Sequence, residues 1–154
     1  MLKKKQSNEY NKNEYYDLKE LSIILSISRT PIYNRLHAAD TLDVTEFPNP
    51  NVFKDRRQAN SFRVVHYKDF ENYLYENKCF DFESEQFDSK RTIEKQFMKL
   101  GEVIRNLKER GIKRTRNTLV RWITEGELPA YYIDGTYIIN IKEYKSWLIR
   151  KGIC

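Results

Sequence analysis

The 154-residue sequence predicts an α+β chain, mainly helical with small β wings, in which one supersecondary module occurs twice. Three observations carry this. Residues 64–74, Val-Val-His-Tyr-Lys-Asp-Phe-Glu-Asn-Tyr-Leu, read without a gap against 138–148, Ile-Ile-Asn-Ile-Lys-Glu-Tyr-Lys-Ser-Trp-Leu, and nearly every position matches in kind. Upstream, Arg-Thr-Pro-Ile-Tyr-Asn-Arg-Leu at 29–36 reads against Arg-Asn-Thr-Leu-Val-Arg-Trp-Ile at 116–123. Asp134-Gly135 stands between two short apolar runs, a strong hairpin signal because both central residues of a type I′ turn need positive φ. A repeat of this length specifies a structural unit two times before it specifies a site.

Residues 1–13 are polar and charged with little to bury, and composition predicts disorder there. The first module is expected over 14–78. Asp17 is placed to cap a helix, with Glu20 three residues on completing a capping box, and Leu18, Leu21, Ile24 and Leu25 form its apolar stripe. Ser26-Ile27-Ser28 breaks that helix, and Ser28 starts another in which Pro31 is tolerated in the first turn. Ile32 and Leu36 point inward on it, which leaves Arg29, Thr30, Tyr33, Asn34 and His37 on the other faces. Two short helices joined by a tight turn are the layout of a helix-turn-helix. Residues 41–61, with Pro48, Pro50 and basic Lys54, Arg56 and Arg57, read as a long loop or hairpin tip. A strand at Phe62–His66 and an amphipathic helix at Lys68–Glu76 follow, completing a winged helix-turn-helix.

An acidic linker is expected over 79–92, and a second module over 93–154. Phe97, Leu100, Val103, Ile104 and Leu107 suggest a longer helix closed by Gly111 as a left-handed cap. Thr115 caps the next, where Leu119, Trp122 and Ile123 face in and Arg114, Arg116, Asn117, Val120 and Arg121 face out. The hairpin 131–139 and a closing helix complete the unit. The second module has 5 extra residues between its first two helices, and the first has 13 extra in its wing, as loops allow. Modules of roughly 60 residues bury only about 60% of their unfolded surface, so the 11 Tyr, 8 Phe and 2 Trp matter as large core fillers. Trp122, Trp147, Phe70 and Tyr144 are assigned to the cores.

The net charge is +6 but unevenly placed. Residues 90–154 hold 15 Lys/Arg against 7 Asp/Glu, or +8, and residues 1–89 hold 13 against 15, or −2. That asymmetry points to a polyanion surface in the C-terminal half. Cys79 and Cys154 have no metal spacing and suggest no disulfide framework, which fits a reducing cytoplasm. No apolar run of about 18 residues offers a bilayer span. His37 and His66 lack ligand partners at metal spacing. No Ser/His/Asp set, phosphate-cradling glycine loop or carboxylate pair can be assembled, so no enzyme, cofactor or metal is expected.

Over 118–148, Thr-Leu-Val-Arg-Trp-Ile-Thr-Glu-Gly-Glu-Leu-Pro-Ala, the hairpin and the closing Trp147-Leu148 make the chain specific enough to compare. This stretch resembles the winged-helix domain of the excisionase and MerR-like DNA-binding families. Residues 18–36 and 62–74 resemble it more loosely, lacking the Gly-x-Leu-Pro-Ala segment and having Ser26 where a turn glycine is common. The resemblance implies double-stranded DNA as partner, with recognition helices in the major groove and wings on the backbone or minor groove. Arg116 and Arg121 then reach guanine edges or phosphates, Asn117 pairs with adenine, and Lys113, Arg114 and Thr115 meet phosphate oxygens. In the first module Arg29, Thr30, Tyr33 and Asn34 take those places. Lys54, Arg56, Arg57 and Arg63 would serve the first wing, and Tyr132 and Tyr137 the second.

These features lead to the expectation of a sequence-specific DNA-binding protein of a mobile element or phage, cytoplasmic and bound to the nucleoid. It would act as an excisionase-type architectural factor or a transcriptional regulator, with an integrase or replication protein as a further partner. A replication-origin-binding accessory protein and a winged-helix protein-interaction module are the alternatives. Two linked modules let a monomer read two half-sites, with an effective concentration of about the mM range if the linker spans them.

Overall fold

The computed structural model describes residues 2–38, 42–48 and 61–153. Among them are six α-helices and two small sheets of four and three strands, an α+β arrangement. No described helix is long and apolar enough to cross a membrane. The chain divides into two compact units that interleave in sequence. The first holds Met1–Ser22, Ile27–Tyr73 and Glu85–Ile93, and the second holds Ile23–Ser26, Leu74–Ser84 and Glu94–Cys154. The division differs from the contiguous one expected, because part of the anticipated linker (85–93) belongs to the first unit and part (79–84) to the second.

The first unit runs β1 (Leu2–Lys4), a 3-10 turn at Ser7–Glu9, β2 (Tyr15–Tyr16), α1 (Leu18–Leu25), α2 (Arg29–Ala38), β3 (Val44–Pro48), β4 (Ser61–His66) and α3 (Tyr67–Glu76), except that α1 from Ile23 and α3 from Leu74 belong to the second. Its sheet has the order β1-β3-β4-β2, with β1 parallel to β3 and the other pairings antiparallel. The capping box forms as the sequence suggests: Glu20 N–H donates to Asp17 Oδ1 at 2.8 Å and Asp17 N–H to Glu20 Oε1 at 3.1 Å. Ser26 takes φ +56°, so a serine makes the left-handed turn between α1 and α2 where glycine is usual.

The expected disorder of 1–13 is corrected. Main-chain pairing, which composition does not register, holds the segment: Leu2–Lys4 pairs with Val44–Glu46, and Lys5 N–H donates to Glu46 O at 3.0 Å. Lys3 ion-pairs with Asp69 at 3.2 Å. Tyr10 packs edge-on against Phe47 and Phe62, with ring centroids 5.0 and 5.2 Å away, and so adds to the buried cluster of Tyr15, Phe47 and Val64.

The second unit contains β5 (Phe97–Lys99), α4 (Leu100–Glu109), α5 (Arg116–Thr124), β6 (Tyr131–Ile133), β7 (Thr136–Asn140) and α6 (Ile141–Arg150), with sheet order β5-β7-β6. Phe97, assigned from periodicity to the helix, lies instead in β5, and the helix begins at Leu100. A single buried aromatic fits either period, and antiparallel pairing with Asn140 decides it. The core joins Leu100, Val103 and Leu107 of α4 to Leu119 and Ile123 of α5 and to Tyr144, Trp147 and Leu148 of α6, with Trp122 half-buried against it.

The sequence signals for the ends of these elements hold. Gly111 closes α4 at φ +86°, and Ile112 N–H reaches back to Leu107 O at 2.8 Å. Thr115 Oγ1 accepts from Thr118 N–H at 3.3 Å and caps α5. Asp134 and Gly135 have φ +52° and +72°, as a type I′ turn requires.

Strand registers show that the repeat extends further than the sequence match. Tyr15 of β2 pairs with His66, and Phe97 of β5 pairs with Asn140, so strand, helix, helix, hairpin and helix recur in the same order. Asn140 Oδ1 caps α6 by accepting from Glu143 N–H at 3.1 Å. At the equivalent position His66 Nδ1 accepts from Lys68 N–H at 3.1 Å.

Candidate nucleic-acid interface

The residues 103–124, which include most of α4 and all of α5, carry seven Lys/Arg and one Asp/Glu, so this span alone is worth +6. Burial sorts α5 by face. Leu119 and Ile123 are buried, whereas Lys113, Arg114, Thr115, Arg116, Asn117 and Arg121 are exposed. Asn117 and Arg121 are four residues apart and share a face, with Arg116 one step round the helix. Among the described residues, Lys113, Arg116 and Arg121 form no ion pair, and Arg114 donates only to the Lys113 carbonyl at 2.8 Å. These cations are therefore not neutralised within the described part of the chain. Thr115 differs, because its hydroxyl is engaged in the cap and lies 3.2 Å from the Thr118 hydroxyl. Val120, expected to face out, is half-buried against the core.

In the second hairpin, Tyr131 and Ile133 are buried on one face, and Tyr132 and Tyr137 lie on the other, where Tyr137 is half-buried against the core. They are cross-strand partners with ring centroids 4.9 Å apart, and Tyr132 is 48% exposed. The outer edge of β6 is met by Asn77–Cys79: Tyr132 N–H donates to Asn77 O at 2.8 Å and Cys79 N–H to Ala130 O at 3.0 Å.

In the first unit Arg29, Thr30, Tyr33 and Asn34 are exposed on α2, and Tyr33, 51% exposed, lies 4.2 Å from the His37 ring, centroid to centroid. Lys54, Arg56 and Arg57 lie outside the described residues. Arg63, expected as a wing contact, is instead half-buried and committed within the unit. Its Nε pairs with Glu46 Oε2 at 3.1 Å, and Nη1 donates to the Leu36 and His37 carbonyls at 3.0 and 3.2 Å. A cation at the last turn of a helix satisfies orphan carbonyls and complements the helix dipole, which accounts for its position. Glu46 and Arg63 are cross-strand partners at the positions that Tyr132 and Tyr137 hold in the second hairpin.

Two groups of residues were not anticipated. Arg105 and Lys108 add exposed cations from α4 and Arg110 one directly after it, and counting charge element by element would have shown them. Arg91, in the presumed linker, is 6% exposed and forms a bidentate pair with Glu71, itself 7% exposed, at 2.7 and 3.0 Å. Arg91 N–H donates to the Tyr16 hydroxyl, and burial pushes the Tyr16 pKa up to about 12. The only sequence signal was a charge, Glu71, beside the buried face of a helix.

A cleft of about 580 Å³ in the second unit is lined by Phe80, Phe82, Pro129 and Trp147. Its acidic Asp81 and Glu127 offset Arg150 and Lys151, so it does not suit a polyanion. Compared with protein-family models, with curated proteins and with solved structures, the chain matches none.

Proposed function

We propose that the chain is a sequence-specific double-stranded DNA-binding protein built of two winged helix-turn-helix units. In this reading α2 and α5 are the recognition helices for the major groove, and the hairpins β3–β4 and β6–β7 are wings on the backbone or minor groove. The observation that carries it is the +6 span over 103–124, whose helix α5 exposes Arg116, Asn117 and Arg121 while Leu119 and Ile123 anchor it. Arginine suits guanine edges and asparagine suits adenine, and both stand in the first two turns, the part of a recognition helix that meets bases. Tyr132, exposed beside the half-buried Tyr137, supports a wing that contacts DNA through a hydroxyl and a ring face. A role as excisionase-type architectural factor or transcriptional regulator of a mobile element follows from the family resemblance at 118–148.

Selection from a pool of random duplexes, followed by binding measurements on the enriched sequence across salt concentrations, tests the reading. Binding through ~6 phosphates should weaken about a thousandfold from about 50 to about 200 mM salt. Arg121→Ala should weaken it by about 1–3 kcal/mol if that side chain reads a base. No enrichment, or binding indifferent to salt, rejects the proposal.

A further inference from the structure

On the DNA reading, the first unit must draw its phosphate contacts from the cations left free within it. Its residues hold 14 Lys/Arg against 12 Asp/Glu, or +2, and the wing cation that the structure describes, Arg63, is already bound to Glu46 and to the end of α2. Residues 54–63 hold +3, with Lys54, Arg56, Arg57 and Arg63 against Asp55, and so do residues 1–12, with Lys3, Lys4, Lys5 and Lys12 against Glu9. The structure places three of these lysines on or directly after β1, along the outer edge of β3.

We infer that β1 is a phosphate-contacting strand, with Lys4 and Lys5 holding the DNA backbone beside the first wing. In register, Lys4 stands next to Glu46, whose carboxylate is taken by Arg63. Lys3 is engaged with Asp69, whereas Lys4 and Lys5 are exposed and form no ion pair among the described residues. Covering the edge of a hairpin does not by itself require such residues. In the second unit the same edge is met by Asn77–Cys79, and there Lys78 turns inward, its Nζ donating to Phe82 O at 2.7 Å and pairing with Asp81. Two exposed, unpaired ammonium groups at the edge of a wing instead offer the sequence-independent charge that a phosphate backbone attracts. The competing role for edge lysines is to block strand-to-strand association.

The test compares the full chain with Lys4→Gln/Lys5→Gln, Lys4→Arg/Lys5→Arg and Arg116→Ala/Arg121→Ala, using a mixed-sequence duplex of about 30 bp from about 50 to about 200 mM salt. Loss of two phosphate contacts should lower the salt slope by about 2, so the affinity lost across that range shrinks about tenfold. The arginine pair should restore the wild-type slope, and all variants should keep the wild-type melting temperature. An unchanged slope in the glutamine variant overturns the inference, and self-association of that variant with an unchanged slope assigns the lysines to edge protection instead. If Arg116→Ala/Arg121→Ala weakens binding while the lysine variants do not, only the role of β1 falls. If the wild-type chain does not bind duplex at all, the DNA reading falls and the role of β1 with it.

Discussion

Replacing Arg91 by alanine should unfold much of the first unit under conditions where the wild-type chain is folded. The Arg91–Glu71 pair is bidentate and almost fully buried, so truncating one partner leaves an uncompensated carboxylate inside the protein. Breaking a buried pair in this way costs about 3–5 kcal/mol. The unit contains about 80 residues, and at about 0.05–0.15 kcal/mol per residue its whole stability is about 4–12 kcal/mol. For a unit of this size each kcal/mol moves the melting temperature by about 4–8 °C, so a shift of at least about 12 °C is expected.

Tryptophan fluorescence is the wrong probe for this, because Trp122 and Trp147 both belong to the second unit. Amide exchange at Val64 and Val65 of β4 reads the first directly. The double replacement Arg91→Met/Glu71→Leu should recover most of the loss, since no lone charge remains. If Arg91→Ala leaves the β4 amides within about 1 kcal/mol of wild type, residues 85–93 are a solvated connector and the buried pair does not hold the unit.

His66 gives a pH prediction. Burial lowers its pKa below the ordinary 6.5, although Asp69 and Glu14 oppose this, and the neutral Nδ1 is the acceptor that caps α3. The folded state thus binds fewer protons than the unfolded one, so stability is full above about 6.5 and falls as pH drops toward the lower folded value. His66→Asn, the residue its repeat partner Asn140 uses, should keep the cap and remove that pH dependence in thermal melts. Gly135→Ala should destabilise the second unit by about 1–2 kcal/mol through its φ of +72°, read by urea unfolding of the tryptophan signal. Arg63→Ala should lower first-unit stability by about 1–3 kcal/mol while leaving the salt slope of DNA binding unchanged, and a changed slope would return Arg63 to the contact set.

What was legible in the sequence was local. Asp17 with Glu20, Thr115, Gly111 and Asp134-Gly135 each act within a few residues, through side chains or φ values that their type dictates. The exposed faces of α2 and α5 followed from helical spacing, Val120 apart. The unread features depend on partners far along the chain. β1 pairs with a strand about forty residues away, Phe97 is a strand residue because of Asn140, and Arg91 is buried because Glu71 waits for it across 20 residues. Arg63 illustrates the same limit at the candidate site, since nothing near it in sequence reveals that the carbonyls of Leu36 and His37 claim its guanidinium.

The two copies share their buried positions and diverge where their surfaces are set. Phe70 and Tyr144, Tyr73 and Trp147, and Leu74 and Leu148 are buried alike, so the closing helix is conserved between them as packing. On the hairpins, by contrast, Glu46–Arg63 in the first copy neutralises itself, and in the second Tyr132 stays exposed beside the half-buried Tyr137. On the preceding helices, α2 has Arg29 exposed and α5 has Arg116 and Arg121, backed by Lys113 and Arg114. Phosphate attraction scales with the cations that remain free, not with the number present. Among the described residues of these helices and hairpins, the second unit therefore offers more cations to a phosphate backbone. In the proposed DNA complex the first unit, with Thr30, Tyr33 and Asn34 outward and its lysines on β1, would add selectivity and phosphate contacts of its own.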